Sequence, residues 1–307
     1  MRQRTGLPLV ADERVLGLRR VVVETAVGPV VARLGEADGG PALVLIHGAA
    51  GSWTTWTPLL QAAADAGRPL TGVVALDLPG WGDSPAPVCP LDAAKAARAV
   101  AAVARSAGHD RWTAIGHSLG GFVALQLAAD EPEATEGVVL VSPTGPAVVR
   151  AVQHPVAGGL RLPWFAGMLL AMRVLGALPR EGRGLLRLLD RSGILPVLST
   201  PLFTDRAAVH PSVAAALAAE IRPRAFVDAT RAATTADLSA WSRIRCPVRS
   251  VRGVHDVFVG ERDAAELGRL LPDFQETAVA AAGHFAAVER PEAVLAALDD
   301  VRPHSPR

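Results

Sequence analysis

Gly116-His117-Ser118-Leu119-Gly120 is a G-x-S-x-G stretch, followed by Gly121. A serine hydroxyl is a poor nucleophile at its own pKa and becomes effective only beside a base. Placed between a strand and a helix, this spacing makes a sharp turn that lifts the hydroxyl beyond the strand end. Gly116 and Gly120 lack the Cβ atoms that would crowd such a turn. The helix that follows points its first N–H groups at the same place, where they stabilise developing negative charge. Ser118 is therefore the candidate nucleophile for acyl transfer, and the N–H of Leu119 the candidate first donor to an oxyanion. The base should be a histidine held in one tautomer by an acid. The acid should fall between serine and histidine along the chain. Asp256, in Gly253-Val254-His255-Asp256 just after an apolar run, fits that order. Asp263 is the rival, inside a stretch of helical pattern.

Composition excludes several other chemistries. The eight histidines show no H-E-x-x-H and no ligand spacing with cysteine, so no metal site is expected. There is no tyrosine to act as an acid and no asparagine to line an oxyanion hole or carry a glycan. Cys89 and Cys246 are distant in sequence and read most simply as free thiols. A formal net charge of +1 argues against nucleic acid as a partner. Hydrophobic residues make up 50% of the 307, which excludes disorder and raises the question of a membrane span. The most apolar run, Trp164 to Met172, is nine residues long. A span needs about 20, so none is expected. The N-terminus has no apolar stretch of signal-peptide type, and the expected location is the cytoplasm.

The elements that must position Ser118 alternate along the chain. Arg19 to Glu24 and Gly28 to Leu34 read as a hairpin. Buried strands are expected at Ala42 to Ile46, Gly72 to Leu76, Arg111 to Ile115 and Gly137 to Val141, because each is a continuous apolar run. Helices are expected at Trp56 to Ala66, Leu91 to Ala107 and Leu119 to Ala129. The pattern resumes with Pro247 to Arg252 (strand), Glu261 to Leu270 (helix), Gln275 to Val279 (strand) and Pro291 to Asp299 (helix). Such alternation predicts an α/β fold with a mostly parallel sheet flanked by helices. From Thr144 to Leu238 no comparable strand occurs. Helical stretches such as Trp164 to Leu178 and Leu185 to Leu189 are cut there by Gly and Pro. This insertion is too long for a loop and reads as a helical cap over 144–238, on a core of 1–143 and 239–307. The tail, Pro303 to Arg307, is expected to fray.

VLIHGAAGSW, DLPGWGDSP, AIGHSLGGFVAL, GVHD and AAGHF occur in that order. Together they resemble the α/β-hydrolase superfamily, and GHSLGG is similar to its lipase and esterase branch. The resemblance covers about residues 19 to 143 and 244 to 300. It implies an α/β-hydrolase fold, with the catalytic histidine on the loop after the last strand, here His284. It also implies a second oxyanion donor on the loop after His47-Gly48, at the N–H of Ala49 with Ala50 as the alternative. HGAAG lacks the longer glycine run of the HGGG type. The activity implied is serine hydrolysis of a small or medium apolar ester through Ser118, His284 and Asp256, without a cofactor. Carbon–carbon bond hydrolysis, lactone opening and acyl transfer use the same triad, and a non-enzymatic receptor is a further alternative. Epoxide and haloalkane hydrolysis need an Asp nucleophile, against which Ser118 stands.

Other residues read as structural. His117 is expected to pack under the turn, and Asp77 to Ser84 to form a tight loop near the site. Trp53, Trp56 and Trp81 are expected either in the core or in a pocket wall. In the cap, Arg161 to Arg191 carries six arginines against Glu181 and Asp190, interleaved with Trp164, Phe165, Met168, Leu169, Leu175 and Leu178. These apolar groups are expected to pack the cap, with part of the surface lining an acyl cleft and able to touch a membrane surface transiently.

Overall fold

A computed structural model describes residues 6–177 and 200–302. β1 (Arg19–Thr25) and β2 (Gly28–Leu34) form the expected hairpin. β3 (Ala42–Ile46), β4 (Val73–Leu76), β5 (Trp112–His117), β6 (Thr135–Val141), β7 (Val248–Gly253) and β8 (Phe274–Val279) complete the sheet. The order of these eight strands is β1-β2-β4-β3-β5-β6-β7-β8. β2 is antiparallel to both its neighbours, and β4 through β8 pair in parallel.

In chain order the described helices are α1 (Thr57–Asp65), α2 (Ala93–Ser106), α3 (Leu119–Asp130), α4 (Pro146–Gln153), α5 (Pro155–Arg161), α6 (Pro163–Ala177), α7 (Pro211–Ala219), α8 (Pro223–Thr234), α9 (Glu261–Leu270), α10 (Ala286–Glu289) and α11 (Pro291–Val301). The boundaries expected for the core elements hold to within two residues. Leu178, Leu185 to Leu189 and Pro303 to Arg307 lie outside the described residues.

The uninterrupted apolar strands follow from burial on both faces. In β3, Ala42, Val44 and Ile46 enter one half of the core, while Leu43 and Leu45 enter the other. One half is covered by α2, α3 and α9 through Val100, Phe122, Leu125 and Leu267. The other is covered by α1 and α11 through Leu59, Val294 and Leu298. Between β6 and β7 the chain forms helices, and no strand occurs there among the described residues. α4, α6 and α8 pack together, and Val148, Val152, Phe165 and Leu169 form a small core of their own there. Among the described residues no helix is long and apolar enough to cross a membrane.

Two features of this topology position the site. After β3 the chain crosses to β4 on one side and then returns to β5 on the other. Such a reversal opens a crevice at the carboxyl ends of the strands. Ser118, Ser142 and the loops carrying Ala49, Asp256 and His284 all follow the carboxyl ends of β3, β5, β6, β7 and β8.

Candidate active site

Ser118 stands between β5 and α3, as the sequence predicts. Its backbone has φ 50° and ψ −116°, a conformation that costs a non-glycine residue on the order of 1–3 kcal/mol. The turn is held from several sides. The N–H of Ser118 donates to the Val141 carbonyl at 3.0 Å, and its carbonyl accepts from Thr144 and Gly121, both at 2.9 Å. The flanking glycines have no room for a side chain. A Cβ on Gly116 would overlap the Gly120 carbonyl, and one on Gly120 would overlap the Ile46 carbonyl. Among the described residues the non-glycine positions with positive φ are Ala50, Ser118 and Ser142. All three lie just past the carboxyl ends of neighbouring strands, so the strain is concentrated here. Strain of this kind clusters at functional sites.

The loop after β3 passes directly beside the serine. A Cβ on Gly48 would come within 2.7 Å of His117 Nδ1 and 2.9 Å of Ser118 Cβ. Ala49 and Ala50 follow on this loop, half-buried. Neither Ala49 nor Leu119 donates its N–H to a protein acceptor among the described residues. His47 anchors the loop from beneath. Its Nε2 accepts from the Leu78 N–H at 2.9 Å, and its Nδ1 donates to the Gly48 carbonyl at 2.7 Å. The bond accepted at Nε2 requires the neutral ring, and burial lowers its pKa accordingly.

His284 lies past β8, buried. Its Nδ1 is 3.0 Å from Asp256 Oδ2 and 3.1 Å from Oδ1. A carboxylate can only accept, so Nδ1 carries the proton and Nε2 is left as the basic nitrogen. Nε2 has no partner among the described residues. The Asp256 side chain is fully buried and also accepts from the N–H groups of Phe258 at 2.8 Å and Val259 at 3.2 Å. Burial pushes this carboxyl up, but His284 and the Phe258 N–H outweigh it and hold it below the usual range. The buried Ser142 hydroxyl faces the carboxylate and lowers it further, without the geometry of a full hydrogen bond. Asp263, the rival acid, is committed elsewhere. It accepts from Ala147 N–H at 2.8 Å and Gly260 N–H at 3.4 Å, and so ties the start of α4 to that of α9.

His117 joins the two halves of the site. Its Nε2 donates to the His284 carbonyl at 2.9 Å, and the two rings lie 5.0 Å apart. Burial and the neighbouring His284 lower its pKa to about 3. It is packed under the turn, as expected. Glu289 steadies the other side, accepting from Gly283 N–H at 2.7 Å and Thr204 N–H at 2.8 Å. Sequence reasoning singled out neither Glu289 nor Ser142, and no local pattern marks them.

Asp77 is a buried hub, which makes the 77–84 loop the structural element expected. It pairs with Arg33 at 2.7 Å and accepts from Trp53 N–H at 2.8 Å and Asp83 N–H at 3.0 Å. Trp53, Trp56 and Trp81 are all buried, and only Trp81 of the three also walls the large cavity. This cavity, about 1140 Å³, lies between residues 78–96, α3 and α8. Phe165 and Leu169 are taken up by the cap's own core, and Trp164 is exposed. Of the apolar residues expected to line a cleft, Leu175 reaches this cavity, while Leu178 to Arg191 lie outside the described residues. Cys89 and Cys246 are free thiols. Among the described residues no group of three His, Cys, Asp or Glu side chains could hold a metal.

Residues 43–297 match the sequence profile of the alpha/beta hydrolase family. The chain belongs to the alpha/beta hydrolase family. The RutD protein of Escherichia coli O81 (strain ED1a) is 30% identical over 269 residues, which span 84% of this chain and 90% of that protein. The dihydrolipoyllysine-residue acetyltransferase component of the acetoin cleaving system of Cupriavidus necator is 40% identical over 110 residues. That match covers 36% of this chain and 28% of that relative's own length. Among solved structures, carboxylesterase CesB from Bacillus subtilis superposes with a TM-score of 0.67 and 20% identity, over 95% of both chains. At that identity the likeness is one of alpha/beta hydrolase fold.

Proposed function

We propose that this alpha/beta hydrolase cleaves carboxylic esters of apolar acyl groups, with Ser118 as nucleophile, His284 as base and Asp256 as its orienting acid. The observation that carries the reading is the bond from His284 Nδ1 to the buried Asp256 carboxylate, on a histidine packed against the residue preceding a strained serine. As Ser118 Oγ attacks the carbonyl carbon, His284 Nε2 takes the hydroxyl proton. The N–H groups of Ala49 and Leu119 receive the charge that forms on the carbonyl oxygen. His284 then gives its proton to the leaving oxygen, so an alcohol departs and an acyl group stays on Ser118. Water attacks that acyl group, again losing a proton to His284, and the acid and free serine are released. Asp256 stays ionised throughout, which its lowered pKa favours. The Escherichia coli relative RutD bears the name putative carbamate hydrolase, and the carbonyl of a carbamate is attacked in the same way.

The test is Ser118→Ala beside labelling with a fluorophosphonate. The variant is expected to keep its unfolding midpoint, lose at least about 10³-fold in kcat on 4-nitrophenyl butyrate and take no label. A folded Ser118→Ala protein that still turns over the ester would overturn the assignment.

A further inference from the structure

We propose that the cavity beside Leu119 receives the acyl chain and that the alcohol side of the substrate is small. The enzyme would then select esters by which side of the carbonyl is long. This rests on the ester hydrolysis proposed above and goes beyond it in assigning the two halves of the substrate to places.

Three observations carry it. The first is proximity. Leu119, whose N–H would hold the carbonyl oxygen, is also one of the residues that line the cavity. Phe122 and Val123 continue the same wall one turn further along α3. Leu119 directly follows Ser118, so this wall begins one residue from the carbon that would carry the acyl chain.

The second is sidedness. The leaving oxygen must take its proton from His284, so the alcohol faces the base and the acyl group faces away from it. Among the described residues the cavity lining comes from 78–96, α3, the end of α6 and 221–232. None of it comes from the loops that carry Asp256 and His284. On the base side, the His284 ring is packed by Phe258 at 4.9 Å and Phe285 at 5.6 Å between ring centres. The open volume is therefore on the acyl side, while on the alcohol side the His284 ring is flanked by two aromatic rings.

The third is chemistry. The charged side chains at the cavity are already engaged. Arg222 donates to the carbonyls of Gly80 and Gly82, Arg224 to that of Gly176, Arg231 pairs with Asp228, and Asp92 pairs with Lys95. What remains for a guest is mainly apolar surface from Leu91, Phe122, Leu175, Ile221 and Ala229. At about 1140 Å³ the space exceeds the roughly 300–1,000 Å³ usual for a small-molecule site. A long aliphatic chain suits it. Each methylene moved from water into such a wall is worth about fourfold in kcat/KM until the space is full.

Methyl decanoate and nonyl acetate are isomers that differ only in which side of the carbonyl is long, so they separate the two sides at equal hydrophobicity. The native protein is expected to favour methyl decanoate by about tenfold or more in kcat/KM. Ala229→Trp, which places an indole in the wall of the cavity, is expected to lower the ratio of methyl decanoate to methyl butyrate by about tenfold. Ala229→Leu, a smaller intrusion, should lower it less, and the isomer comparison needs no variant at all. Equal rates for the two isomers, or preference for nonyl acetate, with Ser118 still labelled by the fluorophosphonate, would overturn the assignment of sides and leave the hydrolysis standing. No label and no turnover of any ester would overturn the hydrolysis itself, and this inference with it.

Discussion

Asp256 and Asp263 are seven residues apart and both largely buried, yet their environments drive them in opposite directions. Burial raises both carboxyls. At Asp256 the facing His284, the Phe258 N–H and the Ser142 hydroxyl overcome that effect, and the group is held ionised. At Asp263 the N–H groups of Ala147 and Gly260 do not, and its pKa stays raised. The two are therefore separable by experiment. Asp256→Asn keeps the shape but changes the tautomer that His284 prefers, so kcat should fall by about 10⁴-fold with little change in KM. Asp263→Asn should leave kcat within a few-fold and weaken the junction of α4 and α9 instead. Steady-state kinetics beside urea unfolding of both variants checks this. A larger kcat loss for Asp263→Asn would reverse the assignment. Gly48 belongs to the same scale. Its missing Cβ is what lets the 47–50 loop lie against His117 and Ser118, and no larger residue fits without moving the loop.

At the scale of elements, what the sequence shows depends on how local the cause is. β3 and β5 are legible because burial on both faces demands an unbroken apolar run. The turn at Ser118 is legible because its glycines and its flanking elements are contiguous. The cap prolines also had a local meaning that counting them as breaks missed. Pro146, Pro155, Pro163, Pro211 and Pro223 each begin a helix, where the lost N–H would have no partner anyway. The contacts between cap and core were not legible, because their partners lie more than a hundred residues apart. Glu220 accepts from Gly82 N–H at 3.0 Å, while Arg222 reaches the Gly80 carbonyl at 3.2 Å and that of Gly82 at 2.7 Å. This pair, at the junction of α7 and α8, grips the loop that carries Trp81. Arg222→Ala removes both charge-assisted bonds and should cost about 1–3 kcal/mol in urea unfolding. Because α8 walls the cavity, KM for a long-chain ester should rise more than kcat falls. Arg222→Lys should restore little, since an ammonium lacks the fork that spans two carbonyls. Unchanged stability and KM would show that the cap is held by its apolar packing alone.

For the whole molecule, the histidines at the site link stability to pH. Between its folded pKa of about 3 and the ordinary value of 6.5, His117 binds a proton in the unfolded chain but not in the folded one. Stability therefore rises with pH across that window, is complete above about 6.5, and is lost as pH falls toward 3. One such group gives a slope of about 1.4 kcal/mol per pH unit, so moving from pH 7 to pH 5 should cost about 2 kcal/mol from His117 alone. His47, also lowered by burial, acts in the same direction. Asp263 and Glu289 act oppositely. Their raised pKa values mean that the folded chain holds its proton more tightly, so their contribution falls as pH rises from the ordinary carboxylate value to the folded one. A single acid-unfolding curve mixes these four with lowered carboxylates such as Asp256. The difference between the native protein and His117→Gln isolates one, because the other groups appear in both curves. Urea unfolding at pH 5, 6 and 7 should give the native protein the steeper dependence, with the two curves converging toward pH 5 by about 2 kcal/mol. Parallel curves would mean that His117 already takes up a proton in the folded state. The neutral ring that bridges the strained serine and the His284 carbonyl would then be wrongly assigned.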